Sequence, residues 1–444
     1  MNVEVRPNKT AAEQTLADTY ATAKSALPGS EAVQARRDAA FRKFESEGLP
    51  NRRVEEWRYT DLRAFMREAK PIAGPPSAEA KELAREAAAD LTELGARRLV
   101  FIGGAFVAEL SDVAALEPGL KIGSFGEALA KGAPEVLARL GEAGPADGDL
   151  AFGLNTAFMG DGAVIEVAEG AAIERPIHMV WMHGGVPASA SFSRSLVSVG
   201  AKASLTLIES FEGPDELDYQ VNTALELSLG EGATVEHIKI GKEGSSALHV
   251  SSLAATLAEA ATLRDVTLTV GGSMVRNQLF VHFAGSGASA VLSGATLLAG
   301  NQHADTTLVM DHAVGGCESQ ELYKSVLDDQ ARAVFQGKII CRKDAQKTDA
   351  RMMTQALLLS ETAEADAKPE LEIFADDVQC GHGATAGELD ERLKFYLMAR
   401  GIPEKEAEAM LIEAFLGEIM DGIASEAIRE PLRAIASGKL AKRG

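Results

Sequence analysis

Hydrophobic and polar positions divide this chain into three stretches with different periods. Over residues 1–95, apolar side chains recur at helical spacing in a frame of Ala, Glu, Lys and Arg, as at Ala39, Ala40, Phe41 and Phe44. Gly48 to Leu62, G-L-P-N-R-R-V-E-E-W-R-Y-T-D-L, reads as a loop rich in aromatic and charged residues, and Pro71 to Pro76 as a linker. Arg98 to Leu110 predicts two short strands around Gly103 and Gly104, and residues 124–145 return to helix. From about 150 to 385 the pattern is short β runs with frequent glycine. Past Gly387, Leu389, Leu393, Tyr396 and Leu397 share one helical face and Gly401 marks its stop. Pro403 opens a second helix striped by Ala407, Met410, Leu411, Ala414, Phe415 and Ile419. Few residues remain to cover that stripe, so it is expected to meet another chain. The expected division is 1–150, mostly helical with a short strand pair; 151–386, a β core; and 387–444, a C-terminal helical domain.

A loose internal repeat runs through the β stretch. Small-residue corners recur at Ala171, Ala201, Ala233, Ala261, Ala288 and Ala331, at spacings of 30, 32, 28, 27 and 43 residues. Each is followed by an extended run such as L-T-L-I-E or D-V-T-L-T-V. A period of this size predicts a β-solenoid, whose stacked coils bury a continuous core and need small residues where the chain turns. The alternative is a large β-sandwich with irregular glycine turns. The wide last interval, around Cys317, implies an insertion, and Cys317 itself reads as a loop residue without a partner.

Composition narrows the function. The chain has 444 residues, with 44 Lys plus Arg against 65 Asp plus Glu, a net charge of −21. That sign disfavours nucleic acid and anionic membranes as partners. No apolar run is long enough to span a bilayer and no secretory signal is visible, and the three cysteines are too few for a disulfide framework, so a cytoplasmic location is expected. P-loop, dinucleotide-binding, G-x-S-x-G, H-E-x-x-H and C-x-x-C motifs are all missing. His303, Asp305, Asp311 and His312 form either an acid/base set or, by preference, solvated turn residues between coils.

The remaining chemistry sits in D-D-V-Q-C-G-H-G-A-T, Asp376 to Thr385. If this run is extended, Cys380 and His382 project to the same face. Thiolate and imidazole together are ligands for zinc, iron and iron–sulfur sites, yet a closed site needs four donors and this pair supplies two. The pair is therefore either an open half-site completed by another subunit or a strand-end cysteine with an incidental histidine. Cys341, in I-I-C-R, reads as a buried small hydrophobe.

Four C-terminal segments together resemble the SufB/SufD family of the SUF iron–sulfur cluster assembly system. They are G-K-I-I-C-R-K-D-A-Q-K-T-D-A (Gly337 to Ala350), L-L-L-S-E-T-A-E-A-D-A-K-P-E-L-E-I (Leu357 to Ile373), A-D-D-V-Q-C-G-H-G-A-T (Ala375 to Thr385) and F-Y-L-M-A-R-G-I (Phe395 to Ile402). E-E-W-R-Y-T-D-L, Glu55 to Leu62, looks like the SufD branch. The resemblance implies a mainly β fold: a right-handed parallel β-helix flanked by N- and C-terminal helical regions. It implies a non-catalytic scaffold subunit that pairs with a SufB-like paralogue and binds a SufC-like ATPase through Glu388 to about Ile428. Cys380 and His382 would then be the interface half-site, SufB supplying the other ligands. No cofactor is expected to be stably bound by this chain alone, only transient iron or cluster with SufB. A homodimer through the unpaired solenoid edge is expected in isolation. The competing readings are a β-helix polysaccharide lyase or hydrolase, a hexapeptide-type acyltransferase and a purely structural interaction protein. The low aromatic content, 5%, counts against sugar stacking, and no six-residue period supports the acyltransferase.

Overall fold

A computed structural model describes residues 9–145 and 148–441. Its centre is a parallel β-solenoid of two facing sheets, one of ten strands and one of nine, with successive strands alternating between them. Strand Leu248–Leu257, for example, pairs in parallel with Gln220–Leu229 below and Met274–Phe283 above, in full register. One residue of each pleat faces the lumen and the next faces outward. The lumen is filled by Val235, Leu263 and Ala290 on one sheet and Leu225, Leu253 and Leu279 on the other, stacked coil on coil. At one end the parallel ladder stops in short antiparallel pairings: Ala105–Phe106 on Arg97–Ile102, and Leu120–Ser124 on Ala163–Val167. At the other end Glu364–Ile373 and Gln379–Gly387 are the last strands of their sheets.

The repeat is real but its corners differ from the sequence reading. Ala203, not Ala201, precedes Ser204, which pairs with Thr234; Thr234, Thr262, Ser289 and Glu318 then pair in succession. Cys317 therefore takes the corner position that Ala233, Ala261 and Ala288 hold in earlier coils, and all four are fully buried. Ala331 belongs to the opposite corner, so the wide interval is a miscount and no insertion exists there. Nor is Cys317 a loop residue without a partner, since its Sγ lies 3.4 Å from the Gly285 carbonyl. Gly285 is obligatory at its turn, because a Cβ there would sit 1.9 Å from the Glu259 amide nitrogen of the coil beneath.

Both outer faces are covered by this same chain. The N-terminal helices Ala11–Ala23 and Glu31–Glu47 and helix Leu150–Phe158 bring Tyr20, Phe41, Phe44 and Phe158 into one cluster with Phe192, Val250 and Met274 of the nine-stranded sheet. A capping box at Thr10 and Glu13 starts the first helix, and Glu13 also receives the Leu49 amide and the Arg63 guanidinium. The E-E-W-R-Y-T segment clamps the solenoid. Arg276 stacks over Trp57 at 3.9 Å and donates to the Glu56 carbonyl, while Lys368 pairs with Glu55. His303, Asp305, Asp311 and His312 are not turn residues: all four lie on strand His303–His312. Asp305 is a fully buried partner of Arg276 and Thr60, so these residues serve the clamp and the packing, not an acid/base set.

Across the ten-stranded sheet lie the C-terminal helices Glu404–Asp421 and Glu426–Ala441. Their buried face is Ala407, Ile412, Leu416, Ile419 and Met420 with Ile428, Leu432 and Ala436, packed on Ile238, Ile240, Val266 and Leu268. Met410 and Ala414 point outward, so the anticipated stripe is rotated and its buried side is satisfied within the chain. The uncovered apolar surface is on the preceding helix Glu391–Met398, where Leu393, Phe395, Tyr396 and Met398 are exposed, Phe395 at 72%.

Candidate metal centre at the open end of the solenoid

Strand Gln379–Gly387 carries both candidate ligands. Its register on strand Asp349–Leu358 pairs Cys380 with Ala350 and His382 with Met352, both buried lumen residues. Cys380 and His382 thus continue two lumen-facing rows onto a strand with no coil above it. Cys380 is half-buried and His382 is exposed. The expectation that they share a face holds for the backbone, and the site opens toward the bare end of the molecule.

Cys341 was not foreseen as part of this place. It closes strand Arg332–Cys341 in the opposite sheet, one coil below, where its neighbour in register is Ile373. Its Sγ lies 3.4 Å from the Sγ of Cys380, across the corner of the solenoid. The residue is fully buried, as the sequence suggested, but its partner is a thiol. Burial, reinforced by the Cys380 hydrogen bond, pushes the Cys341 thiol up to about 12. Burial also raises Cys380, with Asp349 and Glu321 adding to the effect. Both sulfurs are therefore protonated at neutral pH until something replaces the proton. Among the described residues no three metal-ligating side chains converge, and the candidate donors here are of soft character.

Below the open end the lumen turns polar, which the sequence reading missed. Glu321 occupies the same row as His382, with Met352 between them. Its carboxyl is pushed up to about 8 by burial, offset in part by Ser319, and neither oxygen meets a hydrogen-bond partner of normal geometry among the described residues. Deeper in, the His237 ring nitrogens are hydrogen-bonded to Asp265 at 2.6 Å and Glu209 at 3.2 Å. Burial alone would depress this imidazole, but the two carboxylates outweigh it and hold it up to about 9. Lys239, one pleat on, is drawn down to about 8 by burial and donates to Asn277 at 2.6 Å. Alternation could have exposed this column, because Glu209, His237, Lys239 and Asp265 all fall on lumen positions of otherwise apolar strands. Recognising it requires the register that the sequence leaves open.

Together these features describe a parallel β-solenoid protein with Cys380 and His382 on the terminal strand of its open end. The model of the SUF system FeS cluster assembly SufBD core domain matches residues 181–415, and that of the SufBD protein N-terminal region matches residues 10–179. The chain belongs to the SufBD family. An iron–sulfur cluster assembly SufBD family protein of Synechocystis sp. is 32% identical over 404 residues, 88% of this chain and 87% of that protein. The iron–sulfur cluster assembly protein SufD of Escherichia coli is 29% identical over 87% of this chain and 88% of its own length. The chloroplastic protein ABCI7 of Arabidopsis thaliana is 29% identical over 96% of this chain. No helix among the described residues is long and apolar enough to cross a membrane.

Proposed function

We propose that this chain is a SufD-like, non-catalytic scaffold subunit of a cytoplasmic SUF assembly complex. It pairs with a SufB-like paralogue through its open solenoid end and engages a SufC-like ATPase through its C-terminal helices. The observation that carries this reading is the placement of Cys380 and His382 on the terminal strand, in lumen-facing rows that no further coil covers. A strand edge left unpaired offers backbone N–H and C=O groups to a second chain, and a half-site there is completed by that chain's donors. The nascent iron or cluster is cargo at this junction. Cys380 contributes a thiolate once its proton is displaced, and His382 a neutral ring nitrogen. The exposed Leu393, Phe395 and Tyr396 support the assignment of the ATPase contact to helix Glu391–Met398.

Anaerobic co-purification with SufB-like and SufC-like partners, followed by iron and sulfide analysis, tests the reading. Cys380→Ala and His382→Ala should leave complex formation intact and lower bound iron and sulfide at least tenfold. Wild-type levels in both variants would overturn the site assignment. The chain alone should hydrolyse no ATP, having no phosphate-cradling loop.

A further inference from the structure

Two of the three cysteines in this 444-residue chain meet, although 38 residues lie between them in sequence. They come from opposite sheets and from successive coils, so only the solenoid's register brings them together. The contact is asymmetric. Cys380 is half-buried beside the open end, within reach of a small reagent, while Cys341 is 0% exposed. Its surroundings are apolar: Ala345, Ala350 and Ile339 belong to the same core, with Leu371 packed against it. A neutral disulfide is at home in such a setting, whereas a metal held there would find no group of three or more donors among the described residues.

We propose that Cys341 and Cys380 form a redox-convertible pair, with Cys380 the reactive thiol and Cys341 the resolving one. The oxidant class is a low-molecular-weight disulfide. Cys380, giving up its proton as it attacks one sulfur of that reagent, forms a mixed disulfide and releases one small thiol. Cys341 then attacks the Cys380 Sγ and expels the second small thiol. The chain is oxidised by two electrons, the reagent's sulfur–sulfur bond is reduced, and the two thiol hydrogens leave on the two small thiols. The sulfurs have to close from 3.4 Å to about 2.05 Å. Two consequences follow. Oxidation withdraws Cys380 from the half-site and leaves His382 alone, and it staples the last coil to the one below it.

The proposal goes beyond the scaffold reading and is tested without partner subunits or iron. The full chain, reduced and oxygen-free, is equilibrated with mixtures of glutathione and glutathione disulfide, acid-quenched, unfolded, alkylated and mapped by mass spectrometry. The expected result is joint loss of two alkylation sites at one midpoint, a linked peptide pair containing Cys341 and Cys380, and Cys317 alkylated throughout. In Cys341→Ala, Cys380 should instead carry glutathione and be released by at least tenfold less reduced glutathione. Wild-type chains in which Cys380 is glutathionylated or linked to a second chain while Cys341 stays alkylatable would overturn the pair. Because the readout is thiol connectivity, a negative result leaves the cluster-assembly reading standing, and absence of iron in the complex leaves the redox pair standing.

Discussion

At the scale of single residues, the lumen shows how far environment governs chemistry here. Glu321 takes up a proton on folding, since its carboxyl moves from 4.5 to about 8. Its stability contribution is complete below the unfolded value and falls as pH rises from about 4.5 through 8. Glu321→Gln should therefore be more stable than wild type by about 2–4 kcal/mol more at pH 8.5 than at pH 5, measured by urea unfolding. Three buried imidazoles work in the opposite direction. Burial holds His183, His303 and His312 down to about 4. Each is neutral in the fold, so its contribution is present above 6.5 and is lost as pH falls toward 4. The column of small corners makes a third case. Cys317→Ala restores the residue of the neighbouring coils and should cost under about 1.5 kcal/mol, whereas Cys317→Leu forces extra atoms against Gly285 and should cost about 1–3 kcal/mol or more in a thermal melt. The sequence displayed Cys380 and His382 because two-residue spacing on a strand is local information. Cys341 was hidden because its partner lies across a corner, where only the stacking register counts.

At the scale of elements, the terminal helices divide two tasks between them. Helices Glu404–Asp421 and Glu426–Ala441 cover the ten-stranded sheet, each fully buried leucine or isoleucine contributing about 1.5–3 kcal/mol. Removing residues 404–441 would strip Ile238, Ile240, Val266 and Leu268 of cover. The expected outcome is loss of cooperative unfolding and aggregation in light scattering, comparable in energy to a whole domain's stability. The short helix Glu391–Met398 buries no residue fully, so it can be altered alone. Phe395→Asp should leave the melting temperature within about 2 °C, because an exposed side chain packs on nothing, while weakening ATPase-subunit capture by more than tenfold in a pull-down. Periodicity foretold these helices and the strands. It misplaced the buried stripe of the longer helix, because Ala407 and Ile419 are compatible with two neighbouring faces and the sheet selected the one that includes Ile412 and Leu416.

At the scale of the molecule, the repeat length announced a solenoid, while the braces on its two outer sides were invisible until the loop carrying Trp57 was seen seated on Arg276. A loop rich in charge and aromatic rings reads as a surface feature. Here it reaches strands separated from it by more than two hundred residues, and no local pattern encodes that distance. The two ends of the rod are also unlike. Ala105–Phe106 and Leu120–Ser124 run antiparallel to their neighbours and finish one end, whereas Gln379–Gly387 is still in step with the ladder below it. A rod with a single unpaired tip has room there for one companion, after which no tip remains. Any association through it would be closed by arithmetic, giving pairs, identical or mixed, and no filaments. Sedimentation of the isolated chain over a wide concentration range should accordingly resolve one and two copies and nothing longer.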